Sequence, residues 1–182
     1  MLACLDVAYS ERVAVGGCVV FRDWSDERAV VEVVASVPVI ADYRPGEFYL
    51  RELPPLLAVL SRIEYPLDAI VIDGYVWLGM DRPGLGARLH EALGGKTPIV
   101  GVAKTAWRAH VDAAPVEPPS HRAIAVCRGE SAKPLYVTSV DMDLAEAANR
   151  VARMHGPHRI PTLLKAVDRL VRQFAGDLPT PG

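Results

Sequence analysis

The first forty positions alternate between apolar runs and short polar segments, a pattern typical of consecutive β-strands. The apolar runs cover residues 2–8, 16–21 and 29–37, and a polar turn at 22–28 separates the last two. Runs that are this short and this close together pair most simply with their immediate neighbours. The pattern therefore predicts a three-stranded antiparallel meander at the start of the chain.

The next segment has the spacing of a helix. Apolar residues recur every three or four positions over residues 50–63. Prolines are tolerated in the first turn of a helix, so Pro54 and Pro55 predict a helix that begins near Leu53. Glu52 then stands at the N-terminus of this helix.

Two buried strands follow, with a helix between them. The strands cover 67–72 and 97–103, the helix covers about 84–93, and the strands end at Asp73 and Lys104. A strand–helix–strand unit of this length predicts a right-handed parallel crossover. Both polar residues are then expected at the same edge of the sheet.

The second half of the chain returns to short strands and closes with helices. Its predicted elements are, in order, a proline-containing loop at 108–121, a hairpin of 123–128 with 134–139, helices at about 144–154 and 161–174, and a frayed tail at 176–182. The whole order is β-β-β-α-β-α-β-β-β-α-α. It predicts an α/β fold, a mixed sheet with helices on both faces, in one domain over residues 1–175.

Composition agrees with a single folded domain. The chain has 182 residues, of which 51% are hydrophobic and 23% charged, and its net charge is −2, values that exclude a disordered or strongly basic protein. The N-terminus lacks the basic region of a signal peptide, and no apolar run reaches the ~20 residues that span a bilayer. We therefore expect a cytoplasmic protein without membrane contact. The three scattered cysteines are expected to be buried thiols, and they are Cys4, Cys18 and Cys127.

Charge is unevenly distributed towards the C-terminus. Residues 150–172 carry six basic side chains and one acid, Asp168. Such a stretch is consistent with contacts to a phosphate backbone. It is equally consistent with the solvated face of a helix. Both interpretations stay open on the sequence.

Four acids stand where a predicted strand is interrupted or ends, or where a helix begins, and they are Asp6, Glu52, Asp73 and Asp141. Each one alone has an ordinary structural explanation, such as a turn or a helix dipole. Carboxylates that converge, however, cannot all stay ionised without a cation. Mg²⁺ prefers such oxygen ligands and supports metal-assisted phosphodiester hydrolysis. The neighbouring Asp143 fits a capping box with Glu146, which leaves Asp141 for the metal.

Several segments carry a family resemblance, and the most specific one joins two motifs. Asp42-Tyr43-Arg44-Pro45-Gly46 is followed by Phe48-Tyr49-Leu50-Arg51-Glu52-Leu53-Pro54-Pro55-Leu56-Leu57. Together they closely resemble the signature of the endonuclease V family, a Pro-Tyr-x-Pro-Gly turn and then an aromatic-x-x-Arg-Glu-x-Pro-x-Leu segment. Further similar segments follow the family's order, at residues 5–9, 72–74, 98–105 and 133–139.

The resemblance implies an RNase H-like fold and a nuclease. The family cleaves nucleic acid one nucleotide beyond a deaminated base, usually hypoxanthine, with Mg²⁺, for which Mn²⁺ can substitute. Expected partners are DNA or RNA that carries such a base, in DNA repair or RNA processing, and the protein is expected to act as a monomer. The residues that match functional positions are metal-binding Asp6, Glu52 and Asp73, with Asp141 at the position of a family histidine; Lys104 near the scissile phosphate; Tyr43 as a wedge that replaces the flipped base; and Pro45, Gly46 and Gly74 around the base.

The sequence also departs from the family pattern. Val76 replaces a second glycine after Asp73, the usual His-Pro is missing from residues 77–80, and Val140-Asp141-Met142 stands where Gly-His-Arg is usual. Two other functions therefore stay open. One is a nuclease with another substrate, such as branched or flapped DNA. The other is a binding module that has lost catalysis.

Overall fold

The computed structural model describes residues 1–10, 13–38, 49–79, 82–107 and 122–178. Within them the chain forms nine strands and four helices. These elements are β1 (Leu2–Tyr9), β2 (Val13–Phe21), β3 (Val31–Pro38), α1 (Tyr49–Leu60), β4 (Ala69–Asp73), β5 (Trp77–Leu78), β6 (Arg82–Pro83), α2 (Leu85–Ala92), β7 (Ile99–Ala103), β8 (Ile124–Val126), β9 (Leu135–Val140), α3 (Leu144–Arg153) and α4 (Thr162–Asp177).

Seven of the strands form one mixed sheet in the order β3-β2-β1-β4-β7-β9-β8. The first three strands pair antiparallel with their sequence neighbours, which confirms the predicted meander. β4 and β7 run parallel to β1, as the crossover required. β9 runs antiparallel to both β7 and β8, so the predicted hairpin is also present.

Successive residues of the central strands point to opposite sides of the sheet, so both faces of the sheet are apolar. Helices cover both of these faces. Ile70 and Ile72 pack on one side in a core with α1 and α2. Val71 and Cys4 pack on the other side in a core with α3 and α4. Both sides of β4 are therefore dry, and this explains its nearly continuous apolar sequence. The predicted α/β fold is confirmed.

Helix α1 begins earlier than its prolines predict. It starts at Tyr49, so Glu52 lies in the first turn, and Pro54 and Pro55 lie in the second turn. Pro55 is buried where α1 crosses β2. A side chain at Gly16 would overlap the Pro55 carbonyl oxygen, so glycine at this position lets α1 approach the sheet. This close approach sets the height of Glu52 above the sheet.

The short β5–β6 hairpin is absent from the predicted elements, because two-residue strands carry no periodicity. The predicted capping box is confirmed: the Asp143 carboxylate accepts a hydrogen bond from the Glu146 amide at 2.9 Å. α4 extends to Asp177, beyond the predicted end at 174. The predicted loop at 108–121 and residues 179–182 of the predicted tail lie outside the described residues.

The cysteines behave differently from one another. Cys4 and Cys18 are buried free thiols, and burial raises the pKa of Cys18 to about 12. Cys127 is exposed, so the expectation of burial is wrong there. It follows the last residue of β8, where the chain leaves the sheet. Among the described helices, none combines the length and apolar character needed to cross a bilayer.

Candidate active site

Ionisable side chains lie together at one edge of the sheet. The parallel strands β1, β4 and β7 end at this edge, with Leu5 opposite Ile72. Asp6 follows the last residue of β1 that pairs with β4, Asp73 ends β4 and Lys104 follows β7, on neighbouring strands that lie about 4.8 Å apart. In doubly wound sheets this carboxyl edge is the usual place for a binding site.

Asp73 and Lys104 form the closest charged pair of this edge. The Lys104 Nζ lies 2.5 Å from Asp73 Oδ2. Partial burial alone would lower the pKa of Lys104, but the hydrogen bond to Asp73 and its negative charge outweigh burial and raise the pKa. The ammonium is therefore charged and held at the end of β4.

Glu52 reaches the same edge from α1 and completes a group of three carboxylates. Burial, then repulsion by Asp6 and Asp73, raises the pKa of Glu52 to about 8. Burial, then repulsion by Asp73, raises the pKa of Asp6 to about 7, although Asp6 accepts a hydrogen bond from the Val7 amide. The three acids therefore lie within electrostatic range of one another, and Asp6 and Glu52 do so in buried surroundings.

A fourth acid, Asp168 on α4, faces this group, although the sequence does not single it out as a site residue. Its charge contributes to the raised pKa of Asp6. Its carboxylate accepts a hydrogen bond from Arg172 Nε at 2.9 Å. The spacing of Asp168 in the sequence could have indicated this position. Asp168 stands four residues after Leu164 and three before Val171, so the three share one face of the helix. The side chains of Leu164 and Val171 are buried, so the same side of α4 faces the sheet.

Three adjoining cavities lie along this edge. The helix-side cavity, about 240 Å³, lies between α1 and the segment after β4 and is lined by Glu52, Asp73 and Gly74 among others. The central cavity, about 100 Å³, is lined by Asp73, Lys104 and Asp168 among others. The lysine groove, about 570 Å³, begins at Lys104 and continues along the start of β9. Asp73 borders the first two cavities and Lys104 the last two, so the three cavities lie next to one another along the edge.

Comparison with known sequences decides the family. The family model for Endonuclease V matches residues 1–169. The matched part includes every carboxylate of the sheet edge. The chain belongs to the endonuclease V family. It is therefore a nuclease, a hydrolase of phosphodiester bonds.

Relatives and solved structures agree with this assignment. The endonuclease V of Streptomyces avermitilis is 31% identical over 180 residues, which cover 93% of this chain and 78% of that protein. The corresponding protein of Nocardia farcinica is 29% identical over 184 residues, 94% of this chain and 79% of that one. The crystal structure of the Streptomyces avermitilis enzyme has a TM-score of 0.78 at 27% identity and covers 97% of this chain and 81% of that one.

A more distant structure extends the likeness in fold. It is a Ciona intestinalis endonuclease V variant in complex with a 23-mer DNA that contains an inosine. It has a TM-score of 0.77 at 19% identity and covers 98% of this chain and 86% of that one. At this identity the likeness shows the fold alone. Together with the Streptomyces avermitilis structure and the mixed seven-stranded sheet, it is consistent with the RNase H-like fold that the resemblance implied.

The structure does not place Asp141 with the other acids. Because β9 runs antiparallel to β7, Val140 lies opposite Ile99, the first residue of β7. Asp141 follows at the other end of the sheet from Lys104. There it accepts a hydrogen bond from His90 Nε2 at 2.8 Å, with half of its side chain exposed. The expectation that Asp141 joins the metal site is wrong, because β9 is antiparallel to β7 and therefore ends at the opposite edge of the sheet.

Three other predicted site residues of this endonuclease V homologue have no described position. Tyr43, Pro45 and Gly46 fall in residues 39–48, outside the described residues. Gly74 is described, and its backbone φ of 147° is one that side-chain-bearing residues rarely adopt. It lines the helix-side cavity next to Asp73.

The basic residues of 150–172 do not form one continuous face. Arg150 on α3 pairs with Glu146 of the same helix. Arg159, in contrast, donates to backbone carbonyls at the sheet edge, and Lys165 lines the central cavity. The stretch is therefore divided between a helix surface and the active-site edge.

Gly101 on β7 lies beneath the segment that follows Asp73. A methyl group there would stand 2.6 Å from the Gly74 carbonyl oxygen and 2.8 Å from the Val76 amide nitrogen. That same amide donates to Thr138 Oγ1 at 2.9 Å, which ties the segment to β9. A side chain at position 101 would push this segment outward and carry Asp73 with it.

Gly101→Ala is expected to lower the free energy of unfolding by about 1–3 kcal/mol, since overpacking costs about this much. Cleavage should fall as well, because Asp73 moves. Thermal denaturation and a cleavage assay check the two effects. Gly176→Ala is the matched control, since an added Cβ there has no neighbour within 4 Å, and its effect should stay within about 0.5 kcal/mol. A Gly101→Ala protein as stable and active as the parent would show that the segment after Asp73 does not depend on glycine beneath it.

Proposed function

We propose that this chain is a Mg²⁺-dependent endonuclease that cleaves a nucleic acid strand 3′ to a deaminated base, with inosine as the recognised nucleotide. The observation that carries the proposal is the cluster of three carboxylates at the sheet edge. Asp6, Glu52 and Asp73 stand together with Lys104 in a member of the endonuclease V family. A module that only binds nucleic acid gains little from three acids that face phosphates.

The residues fit a divalent cation. Burial first and repulsion among the carboxylates second raise the pKa values of Asp6 and Glu52, and the nearby Lys104 and Arg51 only partly offset these effects. Among the described residues no group of three or more His, Cys, Asp or Glu side chains is arranged to hold a metal ion together. Mg²⁺ does not require such a group, because it takes one or two carboxylates and keeps several waters. Asp6 and Asp73 would hold it, with Glu52 and Asp168 beside them.

A bound Mg²⁺ would activate water and stabilise the leaving oxygen, and Mn²⁺ can replace it. The protein supplies the rest. Lys104 presents an ammonium next to Asp73, where it can neutralise one oxygen of the scissile phosphate. Asp6 and Glu52, with pKa values of about 7 and about 8, lose their protons near neutral pH and are then available to the cation.

The helix-side cavity is the proposed site of the deaminated base. It adjoins Glu52 and Asp73, so a base held there lies beside the reacting phosphate. Gly74 leaves its wall without a side chain, which permits close approach of a flat ring. The related Ciona intestinalis structure with inosine-containing DNA supports this choice of nucleotide.

We further propose a role in the repair of deaminated DNA or in RNA processing. A monomer is supported because one chain supplies all four acids of the edge. A cytoplasmic location is supported by the unpaired buried thiols of Cys4 and Cys18, which suit a reducing compartment.

The test is a cleavage assay with matched strands that carry inosine or guanosine at one position. DNA and RNA are each supplied as single strands and duplexes, with Mg²⁺ or with a chelator. The proposal expects cleavage of inosine strands that requires the metal, and the four substrates show which nucleic acid is preferred. Cleavage that ignores inosine would favour the alternative of a nuclease with another substrate.

Tyr43 stays a prediction from the sequence. An aromatic ring on a Pro-Gly turn can fill the gap that a flipped base leaves, and stacking is worth roughly 1–3 kcal/mol per base. Tyr43→Ala should therefore weaken binding to an inosine duplex by about ten- to a hundredfold. Fluorescence anisotropy measures this, with single-stranded inosine DNA as the comparison that should lose less. Equal binding by Tyr43→Ala and the parent would refute the wedge.

A further inference from the structure

The lysine groove lies outside the cluster of three carboxylates and outside the proposed base site. It extends from Lys104 along the ends of β7 and β9, and its other lining residues include Lys133, Tyr136 and Arg159. The groove is open to solvent along its length and about 570 Å³ in volume. It is therefore large enough to take more than a single phosphate group.

Beyond Lys104, which pairs with Asp73, the groove is lined by two further cations, Lys133 and Arg159. Within the part of the chain that the structure describes, the Lys133 ammonium pairs with no carboxylate. Arg159 donates to the carbonyl oxygens of Lys104 and Pro134, and its Nε is buried without a described partner. Neutral carbonyls leave the guanidinium charge in place. Two cations thus extend the positive charge beyond Lys104, away from the carboxylates.

The groove also adjoins the active site. The helix-side and central cavities share Asp73, and the central cavity and the lysine groove share Lys104. A strand whose deaminated base occupies the helix-side cavity therefore passes Asp73 before it reaches Lys104. Because the proposed cut lies 3′ to that base, the nucleotides that enter the groove are those on the 3′ side of the cut.

We propose that the lysine groove binds the phosphodiester backbone of the cleaved strand on the 3′ side of the cut, with Lys133 as the outer phosphate contact. Positive side chains beside one aromatic ring, Tyr136, are the usual lining of a single-strand path. This assignment rests on the proposed function for its direction. The binding of a nucleic acid strand in the groove rests on the charge of the groove and on its place next to the active site.

The experiment compares Lys133→Ala with Lys96→Ala. Both lysines are exposed, and Lys96 precedes β7 at the opposite end of the sheet, so it serves as the matched control. Binding is measured by fluorescence anisotropy on single-stranded inosine DNA with long flanks, with the 3′ flank removed just beyond the cut, or with the 5′ flank removed. Each measurement is repeated over a range of salt concentrations.

Lys133→Ala is expected to weaken binding of the long strand about three- to tenfold and to reduce the salt slope by about 0.7, the value of one single-strand phosphate contact. It should match the parent on the strand without a 3′ flank and remain weaker on the strand without a 5′ flank. Lys96→Ala should match the parent throughout. Equal affinities and slopes for Lys133→Ala and the parent would overturn the proposal, and a loss that follows the 5′ flank would overturn its direction.

Failure of the proposed function gives a different result. The parent would then bind inosine and guanosine strands alike and cleave neither. The salt slope on the guanosine strand still decides whether Lys133 contacts phosphate. An unchanged salt slope for Lys133→Ala on that strand would overturn the proposal that the groove binds a nucleic acid backbone. Stronger binding of an acidic peptide would identify a protein partner instead.

Discussion

Replacing Asp73 with Asn is expected to reduce Mg²⁺-dependent cleavage about 1,000-fold or more, the scale seen when a central catalytic group is removed. Asp73 borders both the helix-side and the central cavity and is paired with Lys104. The amide removes a negative charge that a cation needs. It also removes repulsion towards the phosphate, so binding of an inosine strand should stay as tight or become tighter. Single-turnover cleavage and anisotropy measure the two quantities separately.

Asp141→Asn is the matched control for this charge change. Asp141 lies at the other end of the sheet with φ at 57°, a conformation that Asn tolerates well. Its cleavage rate should stay within about twofold of the parent, because Asp141 lies away from Asp73 and its hydrogen bond with His90 is partly exposed. If Asp141→Asn loses as much activity as Asp73→Asn, the metal site does not lie at the edge that holds Asp73.

The second large effect is a steep dependence of cleavage on pH. Asp6 and Glu52 must both be ionised to accept a cation, and their pKa values are about 7 and about 8. At limiting Mg²⁺ the rate should therefore rise about 100-fold or more between pH 6 and pH 9, with a slope that approaches two at the acidic end. Raising the Mg²⁺ concentration should shift the midpoint to lower pH, because cations and protons compete for the same oxygens.

The same shifts predict how stability varies with pH in the metal-free protein. A carboxyl whose pKa is raised on folding costs stability as the pH rises from its unfolded value, near 4, to its folded value. For Asp6 and Glu52 this window extends from about 4 to about 8. Mg²⁺ should therefore raise the melting temperature more at pH 8 than at pH 6. A pH-independent rate together with an equal metal effect at both pH values would show that Asp6 and Glu52 do not bind the cation.

Much of the fold follows from the sequence because its strands are apolar on both sides and its turns are marked. The run before Asp73 is apolar throughout, which is what a central parallel strand needs when helices cover both faces. The beginning of α1 is the exception, because two adjacent prolines are more typical of a first turn. Packing of Pro55 on the sheet allows the helix to continue past them.

The site is predictable where an acid ends a parallel strand. Asp73 follows this rule, and Asp6 stands just beyond the last β1 residue that pairs with the parallel strand β4. Asp141 also follows a strand, but that strand is antiparallel, so its end lies at the opposite edge. Asp168 lies on the helix face that Leu164 and Val171 mark in the sequence, but its place at this edge depends on how α4 packs on the sheet. The sequence positions of Asp141 and Asp168 do not show which of the two lies in the site, because this depends on strand direction and helix packing.

The most direct test of the central claim is the position of the cut. A 5′-labelled DNA strand with one inosine is incubated with the protein and Mg²⁺, and the product length is read against a sequence ladder. We expect one product that ends a single nucleotide beyond the inosine, absent with a chelator and absent from the guanosine strand. Products spread along the strand, or a cut that does not move when the inosine is moved, would contradict the assignment.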